Sequence, residues 1–442
     1  MPPVKTPPSI KKSILINSSA GNLNSITLIL ASLITSPIIA RYTGPSLFGE
    51  IAFATSYASL IYKVSSLGLK TEFYRRYSSN IYDNNRLIAN AYLLQVITSI
   101  SLFIVGSSAV VLIANSSEYR IIILLSLLQV LSSISYIPYY ILEINHKEYI
   151  INISESFARI LTFFNVIVIT FFNLPLLLIP LNKSFLFFLK LGLVFKRATP
   201  IFSLLTFRKI QQYWNSQYSY CLIRSSWKNF VRDTSNAAVN SASIFFLQFY
   251  SNPSDVAIFS AAFLFSTAYY FVFVSLTNSI RPSLFKSFFN DKSLFAKRYK
   301  RALLFSNSIA ILSSLISFIL LKSFPVFTFI YGNKFSGSEN IAEILVFGGI
   351  FVAFNNVGLI WLNAHKLYSI SLFKTLSSLC LLIILNLLLV PRFSVIGAAW
   401  AFVLSKFWLS HVSLIFFKKG RDLIMIYLNC FNPQILFRQS KA

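Results

Sequence analysis

Residues 14–70 read ILINSSAGNLNSITLILASLITSPIIARYTGPSLFGEIAFATSYASLIYKVSSLGLK. They hold two apolar runs, each long enough to cross a bilayer core at about 20 residues per crossing. A short turn, Arg41-Tyr-Thr-Gly44-Pro45, separates the two runs. The first half of the first run is crowded with amides and hydroxyls, namely Asn17, Ser18, Ser19, Asn22, Asn24, Ser25 and Thr27. Because unpaired polar groups are costly in hydrocarbon, we expect this helix to line a wet cavity or to pack polar side chains against other helices.

Composition places the whole chain in the same class as this stretch. Of its 442 residues 55% are hydrophobic and 12% are charged, whereas a soluble protein carries about a quarter charged residues. The chain is therefore predicted to be a polytopic membrane protein. The three cysteines and three histidines are scattered, so they predict neither a disulfide nor a metal site, and no cofactor is indicated.

Hydropathy predicts twelve membrane helices, over 14–40, 46–69, 87–114, 119–142, 149–173, 184–205, 229–250, 255–280, 302–322, 340–363, 367–390 and 395–417. If the N-terminus is cytoplasmic, most of the 39 Lys and Arg residues fall on the cytoplasmic side, as the positive-inside rule requires. Both termini are thus expected in the cytoplasm. The net charge of +26 is explained by anionic phospholipids as partners, so nucleic acid is not an expected partner.

The chain also carries signs of an internal repeat. The stretch Asn17-Ser-Ser-Ala-Gly-Asn-Leu-Asn-Ser25 resembles Asp233-Thr-Ser-Asn-Ala-Ala-Val-Asn-Ser241, and Pro45-Ser and Pro253-Ser open the next helix in each half. Shared Ser/Asn composition is the alternative explanation. We predict an all-α fold with two pseudo-symmetric six-helix lobes around a central cavity. The expected organisation is a lobe over 1–205, a cytoplasmic connecting loop over 206–228, a lobe over 229–417 and a basic tail over 418–442.

Charged residues inside membrane spans are functional candidates by default, because burying them is expensive. The interior balance is cationic, and ammonium and guanidinium groups form strong hydrogen bonds to phosphate. The expected substrate is therefore anionic and bears phosphate. Two alternatives stay open: Arg159 pairs with Glu155 one helical turn earlier, and Lys63, Lys190 and Lys374 extend to the interface. The candidate substrate-binding residues are Lys63, Arg159, Lys374, Lys406, Asn17 and Asn24, and no catalytic residue is predicted.

Three motifs resemble one known family. Ile39-Ala-Arg41-Tyr-Thr-Gly44-Pro45-Ser-Leu-Phe48-Gly49, Ile330-Tyr-Gly-Asn-Lys-Phe335 and Asn386-Leu-Leu-Leu-Val-Pro391-Arg-Phe-Ser-Val-Ile-Gly397 resemble stretches of Wzx-type polysaccharide flippases. These belong to the multidrug/oligosaccharidyl-lipid/polysaccharide (MOP) exporter superfamily. No binding residue carries over. The matching turn residues Arg41, Gly44, Pro45 and Gly49 are interpreted as structural.

The resemblance implies alternating access in a bacterial inner membrane. The implied substrate is an undecaprenyl-pyrophosphate-linked oligosaccharide, moved to the periplasmic leaflet for O-antigen of lipopolysaccharide or another surface polysaccharide. A polysaccharide polymerase and chain-length proteins are implied partners. Coupling to a proton or ion gradient is left open.

Three other functions compete with this one. A multidrug exporter needs buried carboxylates, which the first helix lacks. A lipid II flippase has several arginines in the cavity of its first two helices, whereas this chain offers only Lys63 and Arg41 there. A membrane polymerase or glycosyltransferase needs a large outer loop or paired acids for acid–base chemistry, and neither occurs. The sequence therefore predicts a transporter and not an enzyme.

Overall fold

The structure is a computed structural model that describes residues 8–78, 83–114, 116–197 and 212–430. The chain is helical in these ranges and forms no β-strand there, which confirms the all-α prediction. Seven helical segments within them are long and apolar enough to cross a membrane. Two of these, Ser19–Ser78 and Tyr368–Ile415, hold 60 and 48 residues, which is enough for two crossings each. Large apolar side chains such as Leu112 and Phe171 are exposed on the helix surfaces, as expected of residues that face lipid.

The helices up to residue 250 cover the first seven predicted spans. Their bounds are α1 (Pro8–Val64), α2 (Leu69–Ser78), α3 (Asn84–Ile113), α4 (Ser117–Leu131), α5 (Tyr136–Ile144), α6 (Glu148–Phe171), α7 (Leu178–Arg197) and α8 (Ser216–Tyr250). A 3₁₀ turn over Ser132–Ser135 joins α4 to α5, so the fourth predicted span is one bent helix. The end of the sixth predicted span, residues 198–205, lies outside the described residues.

The remaining helices cover the last five predicted spans. Their bounds are α9 (Pro253–Asn290), α10 (Lys292–Ser323), α11 (Val326–Tyr331), α12 (Ser338–Val346), α13 (Gly348–Ala364), α14 (Tyr368–Phe407), α15 (Ser413–Ile415) and α16 (Lys418–Cys430). A π-helix over Trp408–Val412 links α14 to α15.

The chain divides into two compact units that do not follow the predicted lobes residue for residue. Unit 1 is Met1–Gly44 with Glu50–Ala237, and unit 2 is Pro45–Gly49 with Ala238–Ala442. Residues 216–228, expected in a connecting loop, form the first turns of α8. The reason is that no Gly or Pro occurs between Ser216 and Asn252, so nothing interrupts the helix. Residues 206–211 of that loop and 431–442 of the tail lie outside the described part.

Two of the motifs with a family resemblance meet at one place in unit 2. Gly44 has φ 75° and ψ 173°, a conformation that glycine adopts without strain, and it breaks α1 into two helices. After this break, the Phe48 ring packs edge-on against Tyr331 and Phe335, with centroids 6.5 and 5.8 Å away. A Cβ on Gly49 would lie 1.8 Å from the carbonyl oxygen of Pro253. Gly44 therefore allows the break in α1, and Gly49 allows close packing against Pro253.

A second pair of similar stretches, with similar backbone angles, occurs in the two units. Each unit has a His-Lys-x-Tyr stretch before a long helix, His146 to Tyr149 before α6 and His365 to Tyr368 before α14. A residue with positive φ sits in each of these turns, His146 at 57° and Lys366 at 58°. Non-glycine residues seldom adopt such angles, so their recurrence in matching turns supports a duplicated hairpin.

We predict that Gly49→Ala destabilises the protein, because the new methyl group must displace the backbone at Pro253. Overpacking of this kind costs about 1–3 kcal/mol. The midpoint of thermal unfolding in detergent is expected to fall by several degrees. Gly192→Ala is the matched control, since a Cβ there meets no atom within 4 Å. An unchanged midpoint for Gly49→Ala would disprove the close packing.

Candidate substrate-binding site

A polar cluster joins the first half of α1 to α6 within unit 1. Asn152, Glu155 and Arg159 recur every three or four residues of α6, so they lie on one face of that helix. Asn24 of α1 faces them, and its amide nitrogen donates to Asn152 Oδ1 at 3.1 Å and to Glu155 Oε2 at 2.8 Å. Thr27 adds a hydroxyl bond to Ser156 Oγ at 3.3 Å. We call Asn24, Asn152, Glu155 and Arg159 the α1–α6 cluster.

The guanidinium group of Arg159 bonds to other members of this cluster. Its Nη1 donates to the carbonyl oxygen of Asn24 at 3.0 Å and to the side-chain oxygen of the same residue. Its Nη2 lies 3.3 Å from Glu155 Oε2, and the two side chains are 16% and 17% exposed. The ion pair that the sequence left open is therefore formed, and the charge of Arg159 is compensated by a carboxylate.

Asn17 of α1 makes its contacts at a different position, the start of α6. Its side-chain nitrogen donates to the carbonyl oxygen of His146 at 3.0 Å, and its oxygen accepts from the backbone nitrogen of Tyr149 at 2.9 Å. Backbone N–H groups in the first turn of a helix have no partner within the helix. Asn17 therefore satisfies the N-terminus of α6 and fixes its position against α1.

Lys63 and Lys406 lie apart from these clusters. Lys63 is partly buried in the last turn of α1, where its carbonyl oxygen accepts from Ser66 Oγ at 2.7 Å. The Lys406 ammonium lies 4.7 Å from the centre of the Phe402 ring on the preceding turn of α14. A cation over an aromatic face is stabilised by the ring quadrupole, so Lys406 has a local partner.

Lys374 of unit 2 is a lysine buried within the protein. Its side chain on α14 is 1% exposed, and its Nζ donates to Asn355 Oδ1 of α13 at 3.1 Å. Within the described ranges no carboxylate lies within 4 Å of it. An ammonium has three donors, so one amide oxygen leaves most of its hydrogen-bonding capacity unused. A buried charge of this kind favours the approach of an anion, because burial without a counter-charge is expensive.

The surroundings of Lys374 are aromatic and irregular. His411 stacks on Phe354 of α13, the helix that also carries Asn355, with centroids 4.4 Å apart and ring planes 18° apart. His411 sits in the π-helix, and its Nδ1 lies 2.6 Å from Ser410 Oγ. Single π-helical turns within α-helices are frequent at functional sites. We call Lys374, Asn355 and His411 the Lys374 site.

The structure thus joins some of the candidate residues and not others. Asn24 and Arg159 are in contact, Asn17 of α1 bonds to the backbone at the start of α6, and Lys63 lies apart in the same unit. Lys374 and Lys406 both belong to α14 of unit 2. Sequence reasoning missed Asn152, Asn355 and His411. The pair Asn355-Asn356 in an otherwise apolar helix was the signal that could have found the partner of Lys374. The described residues hold no group of three His, Cys, Asp or Glu side chains suited to a metal ion.

No protein-family profile matches the chain. A stretch of 115 residues is 32% identical to an uncharacterized membrane protein of Methanocaldococcus jannaschii. This match covers 25% of the chain and 23% of that protein, so it leaves most of both unaligned.

Solved transporter structures share the fold over nearly the whole chain. The lipid II flippase MurJ, in an inward closed conformation, matches 94% of this chain and 90% of its own, with a TM-score of 0.73 and 16% identity. A variant of the MATE transporter VcmN of Vibrio cholerae matches 95% of this chain and 99% of its own, with a TM-score of 0.60 and 12% identity. A Pyrococcus furiosus MOP transporter, whose binding pocket of reversed polarity suggests a different function, matches 94% and 96%, with a TM-score of 0.53 and 12% identity. The chain therefore has the fold of MOP superfamily transporters, and this fold is that of a multi-pass membrane protein.

We predict that Glu155→Gln destabilises unit 1, because it leaves the partly buried Arg159 guanidinium without its carboxylate. Removing one partner of a fully buried ion pair costs about 3–5 kcal/mol, and a smaller loss is expected for this partly exposed pair. The double variant Glu155→Gln/Arg159→Gln is expected to unfold at a higher temperature than the single variant. Thermal unfolding in detergent measures both. Equal midpoints for wild type and Glu155→Gln would show that the ion pair does not stabilise the protein.

Proposed function

We propose that the protein is a flippase for lipid-linked oligosaccharides. In this proposal it moves undecaprenyl-pyrophosphate-linked repeat units from the cytoplasmic to the periplasmic leaflet of a bacterial inner membrane, with both of its own termini in the cytoplasm. The product would feed the synthesis of O-antigen or another surface polysaccharide. It is a transporter in this proposal, not an enzyme.

The Lys374 site carries the proposal. A fully buried ammonium, one amide partner and no nearby carboxylate among the described side chains form a place where a phosphate oxygen would gain strong charge-assisted hydrogen bonds. A cationic drug would be repelled from the same place. The site therefore favours an anionic substrate over the cationic compounds that a multidrug exporter would handle.

The polar half of α1 supplies a second, weaker argument. Asn22 and Ser19 of this helix are exposed, while Asn24 and Thr27 bond to α6. Glycans are recognised by hydroxyl and amide groups, so the exposed polar positions suit a sugar better than an apolar compound. Arg159 is assigned a positioning role for Asn24, since its own charge is compensated by Glu155.

A lipid II flippase is the second candidate, and one observation favours it. The MurJ structure has the highest TM-score among the three structures compared above. Both candidate substrates present a lipid-linked pyrophosphate, so the Lys374 site would serve either. The glycan decides between them.

The test is transport in proteoliposomes by the purified protein. The substrate is a fluorescent undecaprenyl-pyrophosphate-linked oligosaccharide, and loss of quenching by an impermeant reagent reports its movement between leaflets. We predict that Lys374→Gln lowers the rate at least tenfold, because one strong charge-assisted hydrogen bond to phosphate is lost. Lys374→Arg should retain more activity than Lys374→Gln, since it keeps the charge.

Lys419→Gln is the matched control, because Lys419 is an exposed lysine of α16. Wild-type rates in Lys374→Gln would remove this lysine from the mechanism. Lipid II offered in the same assay separates the two candidates. A preference for lipid II, together with rescue of a strain depleted of its own lipid II flippase, would replace the first proposal by the second.

A further inference from the structure

Unit 2 contains a cavity that lies apart from the Lys374 site. Its volume is about 480 Å³, within the range of small-ligand sites. It lies where α9 and α13 end and where α10 begins, and α16 closes one side. The aromatic side chains that line it are Phe288, Phe295, Tyr299, Trp361 and His365.

The aromatic wall is held in place by the core of unit 2. Phe288 meets Phe295 edge-on at 5.0 Å, and Phe295 stacks on Tyr299 at 5.7 Å. The ring centroids of Trp361 and His365 lie 4.2 Å apart. Tyr299 is 1% exposed, and its hydroxyl donates to the carbonyl oxygen of Val357 at 3.4 Å. The aromatic wall is therefore fixed by packing within unit 2, and the hydroxyl group of Tyr299 is hydrogen-bonded within the protein.

Two nitrogen-bearing groups provide the polarity of the cavity. His365 Nδ1 lies 2.9 Å from the carbonyl oxygen of Trp361, and a carbonyl can only accept, so Nδ1 carries a proton there. Lys300 lines the cavity from α10, and no carboxylate lies within 4 Å of it in the part of the chain that the structure describes. An apolar body with a basic edge is complementary to a ligand with an apolar chain and an anionic head.

The neighbouring charges point the same way. Around the cavity, α10 and α16 carry exposed basic residues, Lys297, Arg298, Arg301, Lys418, Lys419 and Arg421. Such a cluster beside a membrane attracts anionic lipid, at about 1 kcal/mol per basic residue.

Helix α16 lies beside the cavity and carries exposed apolar side chains. Its Leu423 is fully buried in unit 2 and its Ile426 lines the cavity, while Met425 and Leu428 are 64% and 62% exposed. A helix with basic residues at one end and exposed apolar residues along its length is suited to lie in the membrane interface. A lipid could therefore reach the cavity without leaving the membrane.

We propose that this cavity binds a phosphate-bearing lipid, with an apolar chain among the aromatic rings and the phosphate on Lys300. The inference does not depend on the proposed function, because it concerns binding and not transport. Two sources share this chemistry: an anionic phospholipid of the bilayer and a polyprenyl phosphate carrier lipid.

Trp361 provides a direct probe. A variant that keeps Trp361 as its single tryptophan, with the other four replaced by Phe, is reconstituted in phosphatidylcholine containing phosphatidylglycerol brominated on its acyl chains. We predict saturable quenching of Trp361 at a low mole fraction of the brominated lipid. A variant with Trp400 alone is the control, because this residue is 48% exposed and should report bulk lipid through quenching that does not saturate. Lys300→Gln should raise the half-saturating fraction about fivefold. Lys334→Gln, at an exposed lysine between α11 and α12 that neither lines the cavity nor belongs to this basic cluster, should not.

Ala296→Phe tests the volume of the cavity, because Ala296 lines it and a ring there would fill it. This change should abolish saturable quenching, and native mass spectrometry of the otherwise wild-type protein should show loss of bound phosphatidylglycerol. Non-saturating quenching of Trp361 like that of Trp400, or equal affinity for brominated phosphatidylcholine, would overturn the proposal. Displacement by unlabelled undecaprenyl phosphate at a lower fraction than by unlabelled phosphatidylglycerol would support the site and identify the carrier lipid as its ligand. The reverse order would support it and identify the phospholipid.

Discussion

The cost of burying an unpaired polar group governs where this chain can place amides and charges. Its helices are mostly apolar, so an Asn, Arg or Lys within them is stabilised by a polar or aromatic partner in the protein or by a ligand. In unit 1 that requirement ties α1 to α6, because Asn24 accepts from Arg159 and donates to Glu155. The amides of the first helix, which look like a cavity lining in the sequence, are thus partly used to hold two helices together.

The same constraint determines where the backbone can become irregular. Within α14, Ser394 has φ 45° and ψ −122°, where two helical segments meet at a kink. Its hydroxyl lies 2.8 Å from Ser251 Oγ and donates to Asp255 Oδ2 at 2.8 Å. In unit 1, Tyr42 beside the Gly44 break donates to the carbonyl oxygen of Leu174 at 2.9 Å. Each break in a long helix is therefore accompanied by side-chain hydrogen bonds to the turn of another hairpin.

The sequence predicts the helices well because membrane spans depend on local hydropathy. Each of the twelve predicted segments is mostly helical over the residues that the structure describes. Gly44 adopts a positive φ at the break in α1, and Gly49 packs closely against Pro253. The partners of the charges are harder to predict. Glu155 and Arg159 share a turn of helix, so their pairing was foreseeable. Asn355 and Lys374 lie on different helices, and no local sequence pattern shows which sides of two helices are in contact.

The most informative comparison is between the two halves of the repeat. Counted from the histidine of each His-Lys-x-Tyr stretch, Glu155 and Lys374 both follow nine residues later, and counted from the positive-φ residues His146 and Lys366 they differ by one residue. The two charges therefore lie at similar distances from the start of α6 and of α14. This part of the helix therefore carries an acid in unit 1 and a base in unit 2. In unit 1 the acid has an arginine on the next turn, and the charges cancel.

In unit 2 the residue one turn after Lys374 is Ser378, whose hydroxyl donates to the carbonyl oxygen of Ser405 at 2.9 Å. No compensating carboxylate takes the place that Arg159 holds in unit 1. A charge retained in an apolar helix without such a partner is destabilising for the folded protein, and a bound anion removes that penalty. This asymmetry between the two units supports the proposal that Lys374, and not Arg159, is the charge that binds an anionic substrate.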